Sequence, residues 1–183
     1  MLNNQPINQS EDFNQLSRSQ HSYSDSSSSI NQNNLDLRKL TWDDFQGTPP
    51  KNESAQAQIR WKIGYNYQVR QDDDKIQVMV DVWCKIDPSS WQKDKIDEVL
   101  HHQQGHFYIG MICALSFKKR VQEFNFSQNY KHEISEIFNR TLQEYLEMGN
   151  KYNTETLNML NTEKQRQWDM KIMKLLNSLS QYT

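Results

Sequence analysis

Cysteine is nearly absent. Cys84 and Cys113 are too few for a disulfide framework and too isolated for the paired thiolates of a structural zinc site, so both read as small buried apolar residues. No stretch approaches the 18 or so apolar residues of a membrane-crossing helix, which argues against a transmembrane segment. Residues 1–20 lack the apolar core of a signal peptide and hold one cation, Arg18, beside Glu11 and Asp12. The expectation is an intracellular protein, not secreted, with the cytoplasm or a cytoskeletal (ciliary) site favoured over the mitochondrion. Charge of one sign is also missing. The 21 Lys and Arg against 23 Asp and Glu leave a net charge of −2, so no global field exists to hold nucleic acid or an anionic membrane. The compact basic run Lys118-Lys119-Arg120 reads as a solvated helix face. Glycine (5) and proline (4) are scarce, whereas about one residue in five is Asn or Gln and mean hydropathy is −0.97. Most of that polarity reads as surface composition rather than mechanism.

Aromatic residues are present at 11%, five of them tryptophan, which points to a real core somewhere in the chain. It does not lie in residues 1–34. There serines cluster at 22, 24 and 26–29 among Asn and Gln, a low-complexity segment with too little apolar area to offset its ordering entropy. Met1 to Asn34 is therefore expected to be an arm that meets a partner, and 35–183 the domain. From Ala57 to Val69 strict alternation sets Ile59, Trp61, Ile63, Tyr65, Tyr67 and Val69 on one face, and it resumes from Ile76 to Ile86 after a polar turn. These runs predict an antiparallel hairpin with one apolar face. Beyond Pro88 the period becomes helical. A helix of about thirty residues starts near Ile96, a second carries Tyr130 to Leu146, and a third opens at Thr162, where Gln165 completes a capping-box pattern. The predicted architecture is α+β, an antiparallel β-sheet packed against three helices.

The first long helix contains Leu100-His101-His102-Gln103-Gln104-Gly105-His106-Phe107. His102 and His106 are four apart and share a face, the spacing by which an H-E-x-x-H helix offers two imidazoles to one zinc ion. Such chemistry needs a carboxylate after the first His, as the base that takes a proton from zinc-bound water. Position 103 is Gln, whose amide has no useful basicity.

Four motifs extend this likeness from about Leu40 to Ile172. Leu40-Thr41-Trp42-Asp43-Asp44-Phe45-Gln46-Gly47-Thr48-Pro49 is similar to an L-x-W-x-D-F-x-G-x-P opening, Ser90-Trp91 to an S-W pair, and 100–107 to L-x-H-E-Q-x-H-F. Tyr152, Thr156, Gln165 and Trp168 fit a Y-D-x-x-T-x-H-G stretch followed by Q-x-x-W. In these places the chain resembles a bacterial family of predicted secreted zinc-dependent proteases, otherwise classed as a domain of unknown function. The resemblance implies a zincin-like fold in which His102 and His106 would be zinc ligands, Gln103 would stand at the general-base position, and Asn158 at that of the third ligand. A relic metal site of His102, His106 and Asn158 is short of the three protein ligands of a catalytic zinc and lacks the base. His101 points about 100° away around the helix, and His132 and Glu133 are conceivable substitutes that match nothing in the family.

The sequence thus predicts a pseudoenzyme: a degenerate metallopeptidase-like domain with no catalytic residues and no cofactor, zinc being held by His102 and His106 only if it is retained. Its expected partners are other protein subunits of a larger assembly, cytoskeletal, ciliary or mitochondrial, with no nucleic acid. Two alternatives stay open. One is a zinc metallopeptidase with an atypical third ligand. The other is a peptide-binding module that uses the relic groove, with a strand edge near Trp61 or Trp83 and a polar cluster of Gln103, Gln104 and Asn158.

Overall fold

The computed structural model describes residues 35, 37–72 and 75–183, the side chain of residue 72 excepted. The expected interaction arm, Met1 to Asn34, lies outside the described residues.

Four strands and three long helices follow in order: β1 (Ala57–Gln58), β2 (Trp61–Asp72), β3 (Lys75–Ile86), β4 (Trp91–Gln92), α1 (Asp97–Glu123), α2 (Tyr130–Thr156) and α3 (Thr162–Ser178). Short 3₁₀ turns at Trp42–Asp44 and Ser180–Tyr182 flank them. The strands form two antiparallel two-stranded sheets, β1 with β4 and β2 with β3, packed against the three helices. The α+β class and the hairpin are therefore as the alternation predicts. β2 and β3 pair over their full length, from Trp61 opposite Ile86 to Asp72 opposite Lys75. This register puts Ile63, Tyr65 and Tyr67 beside Cys84, Val82 and Val80 on the face that meets the helices. Tyr65 there closes an aromatic group with Phe117 of α1 and Phe138 of α2, with ring centroids 4.7 and 4.9 Å away.

One difference from the sequence reading is a break in the first strand. The alternation runs unbroken from Ala57, but the ladder stops after Gln58 and restarts at Trp61 with a new partner. The reason lies in side chains. The Ile59 N–H donates to Gln103 Oε1 at 2.8 Å and the Arg60 N–H to Ser90 Oγ at 2.9 Å, so two donors that a strand would offer are already taken. The chain changes sheets across those two residues.

Helix α1 is the axis of the core. Every residue from Ile109 to Phe117 is buried, because the hairpin, α2 and α3 cover it from different sides. Trp61 of β2 lies against Gly110, where an added Cβ would come within 2.8 Å of the indole. Asp97 and Glu98 in the first turn and Arg120 in the last complement the helix dipole. At α3 the predicted capping box is replaced: Asn161 is the N-cap and accepts the Lys164 N–H at 3.0 Å. Gln165 is thereby free to turn inward. Both cysteines are free and buried, and burial raises the Cys84 thiol to about 12 and that of Cys113 higher still.

Candidate functional site

The i,i+4 spacing does bring His102 and His106 together on one face of α1, with ring centroids 5.1 Å apart and planes nearly perpendicular. Between them lies the side chain of Asn153 from α2. Its Oδ1 is 3.1 Å from His102 Nε2 and 2.6 Å from His106 Nε2, so both inner imidazole nitrogens converge on one amide. Asn158, the residue at the third-ligand place of the protease pattern, is elsewhere. It is exposed in the turn after α2, one of three successive residues with positive φ, Leu157, Asn158 and Met159. Its backbone N–H donates to the Asn153 carbonyl at 3.0 Å.

The rest of the cluster fixes the protons. Gln165 Nε2 donates to the Tyr152 hydroxyl at 2.6 Å and to Asp169 Oδ1 at 2.9 Å, leaving its Oε1 to accept from His102 Nδ1–H at 2.9 Å. The Tyr152 hydroxyl in turn donates to the His102 carbonyl at 3.1 Å. Neutral His102 thus carries its proton on Nδ1 and presents a lone pair at Nε2. Turning the Asn153 amide so that its NH₂ faces the rings gives each Nε2 lone pair a donor. The neutral state is the favoured one. Burial lowers both imidazoles, His106 to about 3 with the neighbouring His102 as a second cause, while the hydrogen bond that Gln165 Oε1 accepts from His102 Nδ1–H only partly offsets this. Tyr152, fully buried, stacks on His102 at 4.5 Å and meets His106 edge-on at 4.8 Å. Its ring comes this close because position 105 is glycine: a Cβ there would overlap the phenol, 2.7 Å from Cζ.

Neither adjacent glutamine faces the histidine pair as its hydrogen-bond partner. Gln103 accepts the Ile59 N–H at 2.8 Å and donates to the Ala57 carbonyl at 3.3 Å. Gln104 does the same for a second extended segment, accepting the Leu40 N–H at 2.6 Å and donating to the Arg38 carbonyl at 3.4 Å. Each amide uses its donor and acceptor as a strand neighbour would, and each ties a separate segment onto α1. The segment held by Gln104 opens the Trp42–Asp44 turn, where Asp44 forms an ion pair with Arg38 that lowers its carboxyl. His101 points outward to Asp169, 2.9 Å away. His132 is exposed beside Glu136 at the start of α2, and Glu133 binds Ser127. The rise of the helix puts them about 30 Å from Asn153, so neither can complete a site with His102. Trp61 is core, and Trp83 lies across Gly64 on the opposite face of the hairpin, again an approach that a Cβ would block.

A zinc ion of the protease kind does not fit this donor set. Two imidazoles and one amide are a poor substitute for three strong ligands, and the amide already stands on the line where the metal would sit. Among the described residues no three His, Cys, Asp or Glu side chains are grouped to hold a metal. Asn153 and the backbone role of the glutamines escape sequence reasoning. The one signal available was that Asn153 follows Tyr152, inside the stretch already singled out. No helix of the described residues is long and apolar enough to cross a membrane. No family model matches the chain, and neither a curated protein nor a solved structure is found to be similar to it.

Proposed function

We propose that this chain is a non-catalytic, metallopeptidase-like scaffold, a pseudoenzyme that acts as a structural or interaction subunit of a larger assembly. The observation that carries the reading is the Asn153 amide between His102 Nε2 and His106 Nε2, where a metal would lie in an active relative. Hydrogen bonds there do the tethering that coordination would do. The side chain at the base position is committed as well, since Gln103 spends both halves of its amide on the backbone at Ala57 and Ile59. Among the described residues the carboxylate that acts on His102, Asp169, is itself engaged by Gln165 and His101.

One observation favours a second reading. The two Nε2 atoms converge, and His102 Nδ1–H is held by Gln165 much as an outer-shell acceptor orients a metal-ligating histidine. If Asn153 Oδ1 served as a third ligand, the chain would be a zinc protein with an unusual donor set. Elemental analysis of the purified protein after equilibration with zinc, together with hydrolysis of an unstructured protein substrate, separates the two. The scaffold reading expects no stoichiometric zinc and no cleavage. Zinc at one equivalent, lost on His102→Ala, would replace it by the second.

A further inference from the structure

The most exposed large apolar side chains of the described residues are Leu160 (78%), Met170 (68%), Leu157 (58%) and Met79 (51%), followed by Met173 (47%). All of these but Met79, which lies in β3, fall between the end of α2 and the second half of α3. Helical spacing puts Arg166, Met170 and Met173 on one outward stripe of α3, with Lys171 and Lys174 beside it. Trp168, Ile172 and Leu176 face the core from the other side. The turn that carries Leu157 holds three residues in the left-handed region, Leu157 (φ 50°), Asn158 (φ 50°) and Met159 (φ 78°), none of them glycine. Such a backbone is unfavourable by itself, and here it leaves Leu157 and Leu160 exposed rather than tucked under α3. The charge around the stripe is one-sided. Glu163 is engaged by Arg166 at 3.7 Å and Gln167 at 3.1 Å, and Asp169 is turned away to His101 and Gln165. Lys171 rests over the Trp168 ring at 4.1 Å. Arg166 is taken up by Glu163, so the cations beside the Met170–Met173 stripe are Lys171 and Lys174.

We infer that this face, Leu157 and Leu160 with the Met170–Met173 stripe of α3, is a docking surface for an acidic amphipathic helix of a partner protein. The inference rests on the scaffold reading, because it gives that scaffold its contact. Methionine is unbranched and adapts to an incoming apolar ridge, and the flanking cations would pair with carboxylates on the borders of that ridge. A second copy of the chain is a poor occupant, since a two-fold contact would bring Lys171 and Lys174 against one another. A membrane surface is disfavoured too, as the stripe has no aromatic residue to anchor at a lipid interface.

The test uses the full chain and a synthetic probe, an amphipathic peptide of about twenty residues with leucine at the heptad core positions and glutamate elsewhere. Titration should show saturable binding that weakens at least about tenfold in Met170→Ser/Met173→Ser and again in Lys171→Glu/Lys174→Glu, with the thermal midpoint of the serine variant unchanged because both methionines are exposed. A probe with lysine replacing glutamate should not bind. Equal affinity for wild type and the serine variant overturns the proposal, as does binding to phosphatidylserine vesicles without binding to the peptide, or concentration-dependent dimerisation lost in the lysine variants. Zinc content and proteolysis are read on the same preparations. Failure of the peptide with no zinc and no cleavage removes the docking surface and leaves the scaffold reading intact, whereas zinc with cleavage removes the scaffold reading whatever the peptide does.

Discussion

Gln103 and Ile59 are joined by a 2.8 Å hydrogen bond from the Ile59 N–H to the side-chain oxygen, and the nitrogen of the same amide donates to Ala57 two residues earlier. A carboxylate could accept the first bond but could not make the second. Gln103→Glu is therefore expected to destabilise the fold by about 1–3 kcal/mol at neutral pH, since a buried carboxylate would face the Ala57 carbonyl with no donor. Peptide hydrolysis should not appear. Urea unfolding of the variant checks the first statement and a protease assay the second; a more stable variant would mean that the two backbone bonds contribute nothing.

The difference between Asn153 and Asn158 can be read with zinc. Asn153→Asp puts a carboxylate between two neutral imidazoles, which makes the three protein ligands that zinc normally needs. It is expected to bind one equivalent, measured by competition with a chromophoric chelator. Asn158→His adds an imidazole to an exposed turn outside the cluster, and no gain of zinc is expected from it, alone or with Gln103→Glu. Asn153→Ala leaves two buried ring nitrogens without their shared partner and should cost about 1–3 kcal/mol in urea unfolding.

How far these residues could be read in advance depended on distance along the chain. The His102–His106 pair is a local fact, set by helical periodicity, and the hairpin and the start of α3 are equally local. The roles of the three amides are not local. Gln103 meets backbone 44 and 46 residues away and Gln104 backbone 64 and 66 away, while Asn153 reaches His102 across 51. Nothing in the spacing of the L-x-H-Q-Q-x-H-F stretch shows what will pack against it. The break at Ile59 and Arg60 was hidden for the same reason: the pattern of apolar residues continues through it, and only the side chains of Gln103 and Ser90 end the ladder.

Buried neutral histidines give the protein a distinct acid response. In the native state His106 is held at about 3 and His102 is also lowered, against an ordinary value of 6.5. As pH falls below 6.5 the unfolded chain takes up protons that the native chain refuses, so the neutral-pH stability is progressively lost toward pH 3. Each fully depressed imidazole contributes a slope of about 1.4 kcal/mol per pH unit. The paired carboxylates Asp44, Asp87 and Glu144 are lowered as well, and their loss falls below their ordinary values of 3.8 to 4.5 rather than above them. Urea unfolding at about pH 7, 6 and 5 therefore isolates the histidines. His106→Gln should flatten that part of the curve, and an unchanged slope would show that the ring is not excluded from water.

Gly105 sets two effects of opposite sign against each other. Alanine is the better helix former by about 1 kcal/mol, and position 105 lies in the middle of α1. Its Cβ, however, would enter the ring of Tyr152, which is fully buried, stacked on His102, in edge contact with Trp168 and bonded through its hydroxyl to Gln165 and the His102 carbonyl. Tyr152 has no open side to move toward, so overpacking of about 1–3 kcal/mol should outweigh the propensity gain. Gly105→Ala is expected to lower the thermal midpoint. Gly149, where the nearest neighbour of an added Cβ is His106 Nδ1 at an ordinary 3.8 Å, is the control in α2. Gly149→Ala has the same helical gain without the collision, and should raise the midpoint. If both variants shift in the same direction, the contact between Gly105 and Tyr152 is not what requires glycine at that position.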